Sequence, residues 1–124
     1  MIVLLKKKWS QVGQDIDGEN ADNWSGYSVS LSDNGNVVAI GAVANDGNGY
    51  NAGHVRVYKY DSTSGKWTQV GQDIDGENAD DQSGNSVSLS GDGNIVAIGA
   101  QNHELFNATP AGHVRIYRAQ YTYV

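Results

Sequence analysis

The sequence predicts an all-β fold, and three observations carry that prediction. A long stretch recurs: WSQVGQDIDGENAD, Trp9–Asp22, returns as WTQVGQDIDGENAD, Trp67–Asp80, at an offset of 58 residues. No segment places apolar residues at helical spacing; short alternating runs are separated by clusters of Gly, Asn, Asp and Ser instead. Glycine is abundant, 16 residues in 124, and proline occurs once, as many tight turns and continuous strands require. A fixed period of this size marks a chain built from stacked copies of one unit, as in a propeller or a solenoid.

The repeat runs beyond that stretch. SGYSVSLSDNGNVVAIGA, Ser25–Ala42, becomes SGNSVSLSGDGNIVAIGA, Ser83–Ala100, and AGHVRVY, Ala52–Tyr58, becomes AGHVRIY, Ala111–Tyr117. Four strands per unit are expected. Strand A, about Gly26–Ser32, puts Val29 and Leu31 on one face and Ser28 and Ser30 on the other. The turn Asp33-Asn34-Gly35-Asn36 suits positive φ angles, so A and B form a hairpin. Strand B, Val37–Ala42, is a nearly continuous apolar run and reads as buried on both faces. The Asn- and Gly-rich loop Val43–Ala52 is exposed. Strand C, about Gly53–Tyr60, carries His54, Arg56 and Tyr58 on one face and Val55 and Val57 on the other. The turn Asp61–Gly65 leads to strand D, about Lys66–Ile74. The second unit repeats A at Gly84–Ser90, B at Asn94–Ala100 and C at Gly112–Arg118. Four antiparallel strands with a buried second strand describe a propeller blade.

The chain opens on a D strand, Trp9–Ile16, with no A, B or C before it, and closes on strand C followed by AQYTYV. One consistent organisation is an outer strand in residues 1–16 donated to a neighbouring chain, blade 1 at 24–74, blade 2 at 83–118 and a tail at 119–124. Two blades cannot close a ring, so the expectation is a cyclic homo-oligomer with heterologous interfaces. A trimer with six blades is the first expectation and a tetramer with eight the second. Alternatively, Tyr121-Thr122-Tyr123-Val124, which resembles Trp67-Thr68-Gln69-Val70, supplies a short D strand from the chain itself.

With GxSVSLSxxGNxVAIGA followed by AGHVRVY, nearly the whole chain from Trp9 to Tyr117 resembles FG-GAP repeats, the blades of integrin-α-type β-propellers. Gly26-Tyr27-Ser28-Val29 and Gly84-Asn85-Ser86-Val87 stand where that family has Phe-Gly-x-Ser-Val, and Val38–Ala42 stands at its Val-Val-Gly-Ala strand. Gly53–Tyr58 stands at its Gly-x-Val-x-Val-Tyr strand. The Phe of the family is Ser25 or Ser83 here, and the family's acidic calcium loop is shortened to Asp33–Asn36 or Gly91–Asn94. The resemblance implies the propeller fold, an adhesion or ligand-binding role, and an extracellular or cell-surface location. Fold alone does not fix function.

Composition narrows the classes. A formal charge of −6 argues against nucleic acid, which needs a basic face. The absence of cysteine removes disulfides, thiolate metal sites and a cysteine nucleophile. The N-terminal MIVLLKKK has its lysines after a short apolar run, unlike a secretory signal, and no stretch is long enough to insert in a membrane. Lys6-Lys7-Lys8 reads as a solvated strand end. The acceptor triplets Asn23-Trp24-Ser25 and Asn107-Ala108-Thr109 matter only on a eukaryotic secretory route.

Candidate sites are few. The repeated DIDGENAD places Asp15, Asp17 and Asp22, and again Asp73, Asp75 and Asp80, where a calcium ion finds oxygen ligands beside a glycine. Its spacing departs from the EF-type loop, and Asx-rich connecting turns explain it as well; apart from calcium, no cofactor is expected. His54 and His113 read as satisfied histidines between blades, and His103 as a lone loop residue with no pair. No Ser-His-Asp arrangement or phosphate-cradling glycine motif stands out, and no enzyme is expected. Differences between the copies mark positions the blade does not dictate. Trp24, Tyr27, Asn48 and Tyr50 near one unit, and Leu105 and Phe106 in the other, are loop residues suited to a sugar or a protein partner, with sites repeated around a ring. Packing between blades, or neutral drift, explains the same differences. The expected function is a non-enzymatic binding module for a protein or glycan. A lectin resembling oligomeric propeller lectins of two-blade chains, or a structural fragment of a larger propeller, are the alternatives.

Overall fold

The computed structural model describes residues 2–103 and 111–121. Among these residues eight strands form: β1 (Ser25–Leu31), β2 (Val37–Ala42), β3 (His54–Asp61), β4 (Lys66–Gln69), β5 (Ile74–Asp75), β6 (Ser86–Leu89), β7 (Ile95–Ala100) and β8 (His113–Arg118). They make two antiparallel sheets, β1-β2-β3-β4 with β5 also on β3, and β6-β7-β8. The fold is all-β, as the repeat and the alternating runs predict. Among the described residues no helix is long and apolar enough to cross a membrane.

Each hairpin follows from its turn. Ser32 Oγ accepts from the Val37 amide at 3.1 Å and Asn34 Oδ1 from the Asn36 amide at 3.0 Å. In the second unit Ser90 and Asp92 accept in the same way from Ile95 and Asn94. Short polar side chains thus satisfy the amides that a tight turn leaves unpaired. Strand D departs from its expected form. It is interrupted after Gln69 and resumes as β5, with Gly71 between at φ +70°, a conformation that favours glycine. Trp9–Ile16 joins no sheet of its own chain. It lies against β4, where Trp67 Nε1 donates to the Val12 carbonyl at 2.8 Å. The Gln14 side chain both donates to and accepts from the Trp67 backbone, at 2.9 and 2.8 Å.

The core sits between the two sheets. Ala39 and Val55 from the first sheet meet Val96 and Ile98 from the second, with Val57, Ile74, Val87, Leu89 and Tyr117 around them. Full burial of each of these large aliphatic side chains contributes on the order of 2 kcal/mol. The sheets meet closely because the contact residues on β2 are small. A side chain at Gly41 would run into the Gly84 carbonyl and Ser28 Oγ. The serines of strand A, on the face away from Val29 and Leu31, join the sheets: Ser28 Oγ donates to the Gly84 carbonyl at 2.6 Å, and Ser30 Oγ accepts from the Leu89 amide at 3.0 Å. Gly41→Ala is expected to lose about 1–3 kcal/mol by over-packing this seam, read as a lower urea midpoint. A loss below about 0.5 kcal/mol, the scale of surface substitutions, would show that the seam tolerates a methyl group.

Candidate functional site

Two regions concentrate polar chemistry: the charged rim of the seam and the loop groove beside Trp24. On β3, alternation sends Arg56 away from the Val55 face. Its guanidinium forks onto Asp73, Nε to Oδ1 at 2.8 Å and Nη2 to Oδ2 at 3.1 Å, and Nη2 also donates to Glu19. Gln69 Nε2 donates to Asp73 Oδ1 at 2.7 Å. The donated Arg56 bonds hold the Asp73 carboxyl below its ordinary range, and the same bonds raise the already high Arg56 value. His54 beside them is buried, and burial pushes its imidazole toward the neutral form against the pull of Asp73. Its Nδ1 makes no hydrogen bond and lies 3.7 Å from Asp73 Oδ2. The hydrogen bond expected of a satisfied histidine is therefore missing at this nitrogen.

The second unit has the same charged rim with one member fewer. Arg115 Nη2 pairs with Glu77 at 2.5 Å, as Arg56 pairs with Glu19, and Nη1 donates to the Tyr117 hydroxyl at 2.9 Å. The position of Asp73 has no counterpart on β8 among the described residues. His103 is not the isolated loop residue the sequence suggests. Its Nδ1 lies 2.9 Å from the buried Asp81 carboxylate, and its ring stacks on His113 at 3.8 Å between centroids. The signal for this pair was in the repeat: Asn45 and Asn23 stand at the equivalent positions of the first unit, so both members change together.

Among the described residues, two groups bring three ligating side chains together: Glu77, His103 and His113, and His54, Asp73 and Asp75. Asp73 and Asp75 thus converge, whereas Asp15, Asp17, Asp22 and Asp80 join neither group. Both Asp73 oxygens accept from Arg56, so this group is an ion-pair network rather than the set of free oxygens calcium takes. Asp22 and Asp80 occupy left-handed turn positions at φ 65° and 64°, which aspartate tolerates.

The loop groove is lined by Asp22, Asn23, Trp24, Asp46, Tyr50 and Asn51. Trp24 stacks on Tyr27 with centroids 6.3 Å apart, and Trp24 and Tyr50 are 63% and 69% exposed. Asn23 Nδ2 is buried without a hydrogen-bond partner. Asn48 points elsewhere, since its Nδ2 donates to the Gly76 and Glu77 carbonyls at 2.8 and 3.1 Å and so ties the loop to the next linker. Leu105 and Phe106 lie outside the described residues. No protein-family model matches this chain, and comparison with curated proteins finds no match.

The charged rim makes stability depend on pH in two stages. His54 has a lowered value in the folded state, so the unfolded chain binds its proton first and stability falls once pH drops below about 6.5. Asp73 is held low, so its contribution is complete above the unfolded value near 3.9 and is lost as pH falls through the lower folded value. His54→Gln is expected to shrink the upper stage of a denaturation-midpoint profile between pH 7 and 3. Asp73→Asn is expected to shrink the lower stage and cost about 1–2 kcal/mol at neutral pH, a charged hydrogen bond discounted for solvent screening. A profile in Asp73→Asn that matches the parent would show that Arg56 is held by Glu19 alone.

Proposed function

We propose that the chain is a non-enzymatic binding module that assembles as a cyclic homo-oligomeric β-propeller and recognises its ligand through loops on one face. The observation that carries the reading is the groove beside Trp24. Exposed aromatic faces from Trp24 and Tyr50 stand next to the carboxylates of Asp22 and Asp46 and the amide of Asn51. Flat apolar faces flanked by short hydrogen-bonding side chains suit the CH faces and hydroxyls of a sugar ring. A glycan is therefore the first ligand class and a protein loop the second. A trimer of six blades, or a tetramer of eight, repeats the groove around one face, so weak single sites add to strong multivalent attachment.

Two exposed apolar surfaces support the oligomer. Val29 and Leu31 on β1, and Val114 and Ile116 on β8, lie open at opposite ends of the two-sheet stack. Their counterparts in the internal seam, Val87 and Leu89, and Val55 and Val57, pack into the core. Glycan-array binding by the parent is expected to fall at least tenfold in Trp24→Ala, about the loss of one stacking and burial contact, with the denaturation midpoint unchanged. A flat array for the parent, with capture of a protein partner that is lost on replacing residues 101–110, would shift the reading to the protein ligand. Unchanged array binding in Trp24→Ala would remove the groove from the site.

A further inference from the structure

The N-terminal segment and the open edge of β8 fit one another as two halves of a contact already made inside the chain. In blade 1, residues 67–75 form the outer strand: Tyr58 pairs with Gln69, Val55 with Ile74 and His54 with Asp75. Residues 9–17 have the same sequence except Ser10 for Thr68, yet they lie in no sheet. They are nonetheless held in the same local shape. Gln11 Nε2 donates to Asp15 Oδ1 at 2.7 Å, as Gln69 Nε2 does to Asp73 Oδ1 at 2.7 Å. Gly13 has φ +72° and Gly71 φ +70°.

Three features of the chain lack a contact that the equivalent position already has. β8 carries no outer strand among the described residues, and its Val114 and Ile116 are 67% and 69% exposed. Arg115 has the linker carboxylate, Glu77, but among the described residues nothing in the place of Asp73. The Trp67 ring packs over Gly13, its Cδ1 2.8 Å from where a Cβ would stand, whereas the same position at Gly71 faces open space. Trp9, the counterpart of Trp67, is 94% exposed.

We infer that residues 9–17 of a second copy form the outer strand of blade 2, so that each seam between copies reproduces the seam within a chain. This rests on the homo-oligomeric reading above and specifies its contact. By the blade 1 register, Gln11 of the second copy lies opposite Tyr117, Ile16 opposite Val114, and Asp17 opposite His113. Asp15 of the second copy takes the fork of Arg115, and its Trp9 covers Gly71. Ile16 of the second copy then enters the core as Ile74 does. A charged fork, a strand edge and an apolar face are satisfied together, and the register follows with no free choice.

The chain contains no cysteine, so an engineered pair reads the register directly. Gln11→Cys with Tyr117→Cys is expected to cross-link copies under mild oxidation, giving a covalent ladder up to the closed ring on a non-reducing gel. Gln11→Cys with Ile116→Cys, on the opposite face, is expected to cross-link at least tenfold more slowly. Native mass spectrometry of the parent is expected to show a trimer or tetramer, and of Trp9→Ala or Asp15→Arg a monomer; both positions are exposed in the single chain, so neither change disturbs its folding. Equal cross-linking by the two cysteine pairs would overturn the register. An oligomer that survives Asp15→Arg and Trp9→Ala but dissociates on removing residues 122–124 would give the edge to the C-terminal tail and overturn the inference, while the ring stands. A monomeric parent would overturn the ring and the inference together. Cross-linking with no ligand in any array would leave the inference standing and sink the recognition role.

Discussion

A sheet that is apolar on both faces has to be covered twice, and this constraint governs the whole molecule. β2 is such a strand, with Ala39, Ile40 and Ala42 all buried. Its Ala39 side meets the second sheet through Val96 and Ile98. Its Ile40 side is met by the linker that carries Ile16 and Glu19. One unit alone leaves either face wet, at a cost of roughly 25 cal/mol for each square ångström of apolar surface left in water. Stacking a copy of the same unit is the simplest cover in sequence terms, since the complementary face is already encoded.

Stacking brings backbone against backbone, and the seam is made of the groups that allow it. Gly41 meets the Gly84 carbonyl, and Gly53 lies against the Ser83 backbone, with an isolated parallel bridge between them. Such contact leaves peptide groups away from water, where an unpaired one costs about 1–3 kcal/mol. Ser28 and Ser30 answer for two of them, and the Asp33 amide donates to the Gly91 carbonyl at 2.9 Å. The alternation Ser-Val-Ser-Leu is therefore not a buried face and a wet face. Its serine side joins the two sheets, and its valine side is exposed.

The repeat made the architecture legible, because identical side chains at a fixed offset have to satisfy the same neighbours. Strands A, B and C of the first unit fall within about one residue of their expected limits, the ordinary uncertainty of strand ends. Strand D did not read as broken, since Gly71-Gln72 sits in a run whose alternation looks continuous; only the positive φ at Gly71 reveals the break. The charged rim was half legible. Arg56 and His54 share a face by alternation, but nothing local in sequence joins Arg56 to Asp73 and Glu19. The pairing of His103 with Asp81 was hidden for another reason: its two members lie in different loops, and only their coordinated change from Asn45 and Asn23 betrays them.

Comparison of the copies separates, at the groove, what the backbone dictates from what it leaves free. Asp22 and Trp24 have φ of 65° and 61°, and Asp80 and Gln82 have 64° and 54°. A left-handed Trp or Gln is strained by about 1 kcal/mol or more. In each copy the same turn closes, Tyr27 amide to Trp24 carbonyl at 3.1 Å and Asn85 amide to Gln82 carbonyl at 3.2 Å. The strain therefore belongs to the linker, which has to bend there to carry strand D into the next strand A, and is no signature of a site. What differs is the side chain that the bend projects. Gln82 is engaged inside the seam, accepting from Asn102 at 3.0 Å, whereas Trp24 lies beside Tyr27 at the end of the stack, which no second sheet covers in the single chain. A scaffold that tolerates either residue at a strained position leaves the choice between them to whatever that position meets.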